Sequence, residues 1–364
     1  MKAFTLTLGL AALAKSQSFD WASIDAVPTP SKVVVPIGAG STTVPYDSNA
    51  AVFSAGAEVT ASPLSQSVTT ALAPGPKRRG RAAVIERDEC SPQPLGSGPT
   101  PQPDTAEAFL ADSSFFSTAE NAQAPSGFKR SFKNLQGSNS AYAYMGYTSL
   151  DSYSADECAS KCEAIHGCNA FNIFFERDPS LDPGVSCPDP PSTTVIKCVF
   201  WGGPVYDTNA DNNGQWRRDF HVVIAGSNGY NTESFDAPDG YTSTTLGQVA
   251  INEPSGCSTY MGVKTFSSGP FDPALCAEAC SAQSEYNRAH PDSGGNYQTC
   301  QFYNTYMLIQ NGGSGVQICS LYSASWDQSY ATNDGQWRGD DHYTVDFSVT
   351  GSNSTDPGSA TCST

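Results

Sequence analysis

After its first residues the chain has no long apolar run, and so no candidate transmembrane helix. A bilayer core needs about 20 consecutive apolar residues, and the only comparable stretch is Ala3–Ala14. Basic side chains are scarce, with 19 Lys and Arg against 36 Asp and Glu for a net charge of −17. Such a surface repels phosphate backbones and anionic lipid, so neither nucleic acid nor a membrane is an expected partner. Only four histidines occur, His166, His221, His290 and His342, and no paired spacing among them suggests a zinc site. The chain contains no G-x-S-x-G, no H-E-x-x-H, no phosphate-binding loop and no dinucleotide glycine fingerprint. The expectation is a protein that is not an enzyme and holds no metal or organic cofactor. Hydrophobic residues make up 38% and charged residues 15% of 364 positions, which is lean for one large core. Small modules fit better, and small modules often need covalent staples.

Twelve cysteines can supply the staples. Met1-Lys2, the apolar run and Ala12-Leu13-Ala14 make residues 1–16 a secretory signal peptide. The expected location is extracellular or cell-wall-associated, where thiols default to disulfides. Residues 17–89 contain no cysteine and read as a disordered, low-complexity leader. Lys77, Arg78 and Arg79 near its end form a dibasic cluster suited to a kexin-type processing protease. Residues 90–123 form a proline-rich linker, expected to be extended and packed onto the first module.

The remainder repeats itself. Ala124-Pro125-Ser126-Gly127-Phe128 matches Ala237-Pro238-Asp239-Gly240-Tyr241, and Cys158-x-x-x-Cys162 matches Cys276-x-x-x-Cys280. Further on, Asn213-Gly214-Gln215-Trp216-Arg217 matches Asp334-Gly335-Gln336-Trp337-Arg338. The repeat divides this part into 124–232 and 233–364. Each unit shows one helix. Ser154 opens a capping box with Glu157, Asp272 is an N-cap followed by Pro273, and the first helix should end near Gly167. The four-residue cysteine spacing puts both thiols on one helix face. Apolar strands follow each helix, and Asn213-Gly214 and Asp334-Gly335 read as two-residue hairpin turns. The expected fold is α+β: two tandem disulfide-stapled modules, each an antiparallel sheet with one helix across it.

A helix with Cys-x-x-x-Cys, then Cys168-Asn169-Ala170-Phe171, then a strand Cys198-Val199-Phe200-Trp201 resembles the PAN/apple module. The whole chain is similar to secreted fungal proteins carrying this kind of repeat. The resemblance implies the pairs Cys158–Cys198 and Cys162–Cys168, then Cys276–Cys319 and Cys280–Cys300. Spacing alone permits many other connectivities. Cys257 and Cys362 flank the second unit and are paired on that ground, which leaves Cys90 to join Cys187 in the insert of the first.

The resemblance implies adhesion to proteins or carbohydrates, so an extracellular polysaccharide or protein is the expected partner. Trp201, Tyr206, Trp326 and Tyr330 lie in loop-like sequence and are the candidate exposed stacking platforms. Trp216 and Trp337 are expected to pack inside, because a buried indole removes much area from water. Arg217-x-Asp219-x-His221 recurs as Arg338-x-Asp340-x-His342. In a strand these three side chains would share a face, giving a polar ligand patch or a charged ladder. Asn353-Ser354-Thr355 is a glycosylation sequon. Two other functions remain open, a precursor whose cleaved leader is the active product and a carbohydrate-active enzyme.

Overall fold

A computed structural model describes residues 24–25, 33, 35–64, 89–254, 256–313 and 315–355. The signal peptide, the cluster Lys77-Arg78-Arg79 and Cys362 lie outside the described residues.

Part of the stretch expected to be an unstructured leader is folded. It supplies β1 (Ser41–Thr43) and α1 (Ser48–Ala61). Asp47 caps α1 by accepting from the Ala50 amide. The small residues Ala55, Gly56 and Val59 give the helix a face that another helix can approach closely. The linker is also not wholly extended. It bridges to Leu181 at Pro92 and to Thr194 of the first sheet at Gly98 and then forms α2 (Ala106–Leu110) and α3 (Ser113–Asn121), capped by Thr105 and Asp112.

The next strands are β2 (Phe128–Leu135) and β3 (Tyr144–Leu150). After α4 (Ala155–Glu163) come β4 (Ala170–Pro179), β5 (Ser192–Trp201), β6 (Gln215–Arg217) and β7 (Phe220–Thr232). They form an antiparallel sheet in the order β1-β3-β5-β4-β7-β2, with β6 also on β7. A second set follows: β8 (Tyr241–Gly247), β9 (Ala250–Ile251), β10 (Tyr260–Phe266), α5 (Pro273–Ala289), β11 (Phe302–Gln310), β12 (Gly315–Tyr322), β13 (Ala331–Asn333), β14 (Gly335–Arg338) and β15 (Asp341–Asn353). Its sheet runs β10-β12-β11-β15 with β14 and β8 both on β15, while β9 pairs with β13 separately. The strand order β3-β5-β4-β7-β2 thus reappears as β10-β12-β11-β15-β8.

The fold is mixed α+β, mostly antiparallel sheet with few helices. Ser154 accepts from the Glu157 amide, and Asp272 accepts from the Ala274 amide ahead of Pro273. Helix α4 stops at Glu163, before the expected Gly167, which adopts φ +86° beyond it. Among the described residues five disulfides are present: Cys90–Cys187, Cys158–Cys198, Cys162–Cys168, Cys276–Cys319 and Cys280–Cys300. The expected bond Cys257–Cys362 falls outside them because Cys362 does.

Each helix is pinned to its sheet by fully buried cysteines among Met145, Ile173 and Phe200 in one case and Met261, Leu275 and Leu321 in the other. Strand β4 is buried along its whole length because both faces of its sheet are covered. Phe171, Ile173 and Phe175 face the helix, and Phe174 faces Trp201, Val35 and Ile224. Asn172 donates to Ser227 Oγ and the Asn228 carbonyl, and its Oδ1 accepts from the Asn139 amide. Asn304 does the same with Ser348, Val349 and Ile251. Each asparagine ties a segment outside the sheet, the Asn139 loop or β9, to the middle of a sheet and meets the hydrogen-bonding needs of buried backbone. Between the sheets, Tyr142, Phe271, Met307, Ile309 and Phe347 form an apolar seam. The Tyr206 hydroxyl crosses it to donate to Asp346.

Candidate functional site: two tryptophan–histidine hairpins

Strands β6 and β7 meet in a tight hairpin with the pairs Gln215–Val222, Trp216–His221 and Arg217–Phe220. Strands β14 and β15 do the same with Gln336–Tyr343, Trp337–His342 and Arg338–Asp341. Side chains alternate across a strand. Phe220 and Val222, like Tyr343 and Val345, point inward and are buried. His221, between Phe220 and Val222, and His342, just before Tyr343, therefore point outward, each beside the tryptophan directly across the ladder. Trp216 stacks on His221 with centroids 4.1 Å apart and planes 7° from parallel. Trp337 stacks on His342 at 4.4 Å and 13°. The outer indoles remain open, Trp216 66% exposed and Trp337 67% exposed.

This arrangement inverts the sequence expectation. Trp201, expected as an exposed platform, is 0% exposed and packs in the core against Tyr144. Trp326 is 7% exposed, and its indole N–H donates to Thr259 Oγ1 at 2.9 Å. Tyr330 packs edge-on against it. Tyr206 lies in the seam between the sheets. The two tryptophans expected inside are the exposed ones.

The Arg-x-Asp-x-His constellation does not share a face. The tight turn sits at Arg218-Asp219 and Gly339-Asp340, so Asp219 and Asp340 are exposed turn residues. Asn213-Gly214 and Asp334-Gly335 are not those turns. Gly214 (φ +98°) and Gly335 (φ +117°) stand where the backbone passes close to the partner strand. A Cβ on either would come within 2.0 Å of the carbonyl oxygen of Val222 or Tyr343, so glycine is needed for close approach rather than for a turn. Arg217 pairs with Asp182. Arg338 grips Asp25 with two donors, and this contact holds the Asp25 carboxyl below its ordinary value.

The first hairpin has extra support. The Arg177 guanidinium lies 4.1 Å from the Phe220 ring centre, donates to the His221 carbonyl, and is paired with Asp104. Burial pushes the Asp104 carboxyl up. The Ser192 hydroxyl and amide, together with Arg177, outweigh that and hold it below the carboxylate range. Behind this hairpin, Gln215, Val222, Glu176, Val35 and Ile37 line a cleft of about 210 Å³.

Sequence reasoning missed a buried ionic cluster deeper in this sheet. Fully buried Lys197 pairs with Glu176, lies over the Tyr147 ring, and donates to the Pro36 carbonyl at 2.8 Å. Burial pulls the lysine down, but Glu176 and Asp178 more than offset it and raise it above its ordinary value. Burial, then Glu176, pushes the Asp178 carboxyl well up. The signal was a lone lysine inside one apolar strand run, Ile196-Lys197-Cys198, and a charged triplet, Glu176-Arg177-Asp178, continuing another after Phe174-Phe175. No cluster of His, Cys, Asp and Glu suited to a metal ion occurs among the described residues, and no described helix is long and apolar enough to cross a membrane. Asn353 ends β15, and its Oδ1 accepts from the Thr355 amide and hydroxyl.

Comparison of the chain with protein-family models, curated proteins and solved structures finds no match.

Proposed function

We propose that the chain is a secreted, non-catalytic binding protein built of two tandem PAN/apple-like modules, and that it holds an extracellular carbohydrate on Trp216 and Trp337. The observation that carries this reading is the duplicated open indole, braced from behind by a histidine at the same hairpin position in both sheets. Lone exposed apolar side chains are ordinary, so the weight of this reading rests on the recurrence of the same open Trp–His stack in both sheets. A flat ring with a polar surround suits the C–H face of a sugar, since it is apolar in the plane and wet at the edge. Processing at Lys77–Arg79 and glycosylation at Asn353 belong to the same reading of a secreted precursor.

One indole contributes on the order of 1 kcal/mol, so a single platform grips weakly. Two platforms on one molecule gain avidity of roughly 10²–10⁴ on a repeating polymer. The test is retention on insoluble wall polysaccharides. Trp216→Ala and Trp337→Ala should each lower apparent affinity by at least about tenfold, and together they should abolish retention. Retention equal to wild type in the double variant would refute the platform reading.

A further inference from the structure

Residues 35–64 lie across both halves of the molecule. Val35 enters the core beside Phe174 and Val199, and the next carbonyl, that of Pro36, accepts from buried Lys197. Strand β1 then adds to the outer edge of β3, pairing Ser41 with Thr148 and Thr43 with Gly146. The Ser149 amide donates to the Gly40 carbonyl, and the Val44 amide donates to the Met145 carbonyl. Tyr46 and Ser48 both donate to Asp272, the cap of α5. Helix α1 lays Ala55 and Val59 into the cluster around Leu275 and Ala279 of α5. At its end Lys264 donates to the Ser62 carbonyl, and Gln283 exchanges hydrogen bonds with the Leu64 backbone.

Most of these polar contacts reach backbone atoms of the segment from side chains or strand edges fixed in the rest of the chain. Recognition of that kind reads an extended backbone and is tolerant of its side chains, as in strand addition. The hydrophobic side chains the segment buries fully, Val35, Ala55 and Val59, are small, while Tyr46 and Leu64 pack half-buried against the two cores. It carries no cysteine, since the first in the chain is Cys90, so no disulfide ties it down. Lys197 is buried in charged company and aimed at a carbonyl of the segment, in a place where the second sheet has an isoleucine.

We propose that residues 35–64 fill a peptide-binding surface of the remaining chain, and that this surface accepts a separate polypeptide of the same form. The surface consists of the β3 edge, the side of α5 that α1 covers, and the two lysines Lys197 and Lys264. The ligand is an extended stretch followed by a short helix with small side chains on one face. This site uses none of the residues of the tryptophan platforms and stands or falls independently of the carbohydrate reading.

The test starts from the full, folded chain with a site-specific protease sequence inserted after Gly80. The probe is a fluorescent synthetic peptide of residues 33–64, followed by anisotropy and native mass. The cut protein should take up one labelled peptide, saturably. The uncut protein should bind at least about 100-fold more weakly, because its own tethered copy competes at a local concentration on the order of millimolar. A probe with Ala55→Asp and Val59→Asp should bind at least about 30-fold more weakly, since it would bury two unpaired charges. The proposal is overturned if the cut protein takes up no probe after overnight incubation, or if cut and uncut proteins bind it equally. It is also overturned if cutting alone abolishes the near-ultraviolet circular dichroism of the native fold, which would make the segment part of the core.

Discussion

Where the first sheet sets Glu176 of β4 diagonally beside Lys197 of β5, the second sheet sets Leu308 of β11 diagonally beside Ile318 of β12. The registers make these positions equivalent: Ile173 pairs with Cys198 as Thr305 pairs with Cys319, and both sets lie in the same relation to Asn172 and Asn304. One fold therefore accepts either a buried ionic cluster or an apolar one at its centre. The apolar version completes a cluster with Tyr306, Val316 and Val345. The ionic version faces the N-terminal segment, and Lys197 also donates to the Pro36 carbonyl. Buried ion pairs seldom stabilise a fold more than well-packed apolar residues do, and they can fix one arrangement in preference to others.

The largest expected effect comes from breaking this contrast. Lys197→Ala strands Glu176 and Asp178 in the interior and should cost about 3–5 kcal/mol. Lys197→Ile with Glu176→Leu, which copies the second sheet, should recover most of that loss in urea unfolding. If the double variant is as unstable as the single one, the two pairs are not interchangeable.

A smaller effect separates the halves by pH. Asp104, clamped by Ser192 and Arg177, has a depressed folded value, so its stabilisation is full above the ordinary carboxylate range and lost as pH falls. Asp104→Ala should cost about 2 kcal/mol at neutral pH, and the gap from wild type should close in acid. In the second half the seam between α1 and α5 behaves oppositely. Burial raises Glu58 against the pull of Lys264, and burial, then Glu285, raises Glu278. Their contribution is full below the ordinary carboxylate value and lost as pH rises through the raised ones. The bound 33–64 peptide should therefore leave the cut protein more slowly in mild acid than at neutral pH.

The smallest effect lies in the hairpin turns. Arg218 takes φ +56° where its counterpart Gly339 takes φ +63°, and a side chain is strained in that region. Arg218 also pairs with Glu89, but both partners are exposed and such a pair contributes little. Arg218→Gly should raise stability by about 0.5–1 kcal/mol, and Gly339→Arg should lower it by a similar amount. Thermal melts of the two variants check the swap.

Much of the framework was legible because it depends on local spacing. Ser154 and Asp272-Pro273 mark helix starts by the chemistry of unsatisfied amides, and four-residue cysteine spacing puts two thiols on one face whatever lies opposite. The tryptophans were misplaced for two reasons: Trp201 and Trp326 stand in loop-like sequence that the fold carries into the interior, and Trp216 and Trp337 were put on the wrong face by the turn assignment. Reading Asn213-Gly214 as the turn, rather than Arg218-Asp219, shifts the register of the hairpin. A register shift decides which face a side chain occupies. The alternation Phe220-x-Val222 and Tyr343-x-Val345 contained the correction, because it sends His221 and His342 outward. The folded leader segment had no such signal. Its helix buries small residues only where α5 already presents a surface, and nothing local to Ser48–Ala61 specifies that neighbour.

The sequence by itself determined the repeat, the helix caps and the thiol faces, because these are set by interactions within a few residues. Tertiary structure alone decided which tryptophans meet solvent, where the N-terminal segment lies, and that one sheet centre is ionic while its twin is apolar. Each of these depends on which distant backbone and side chains share a layer, and burial is a property of that layer rather than of the residue.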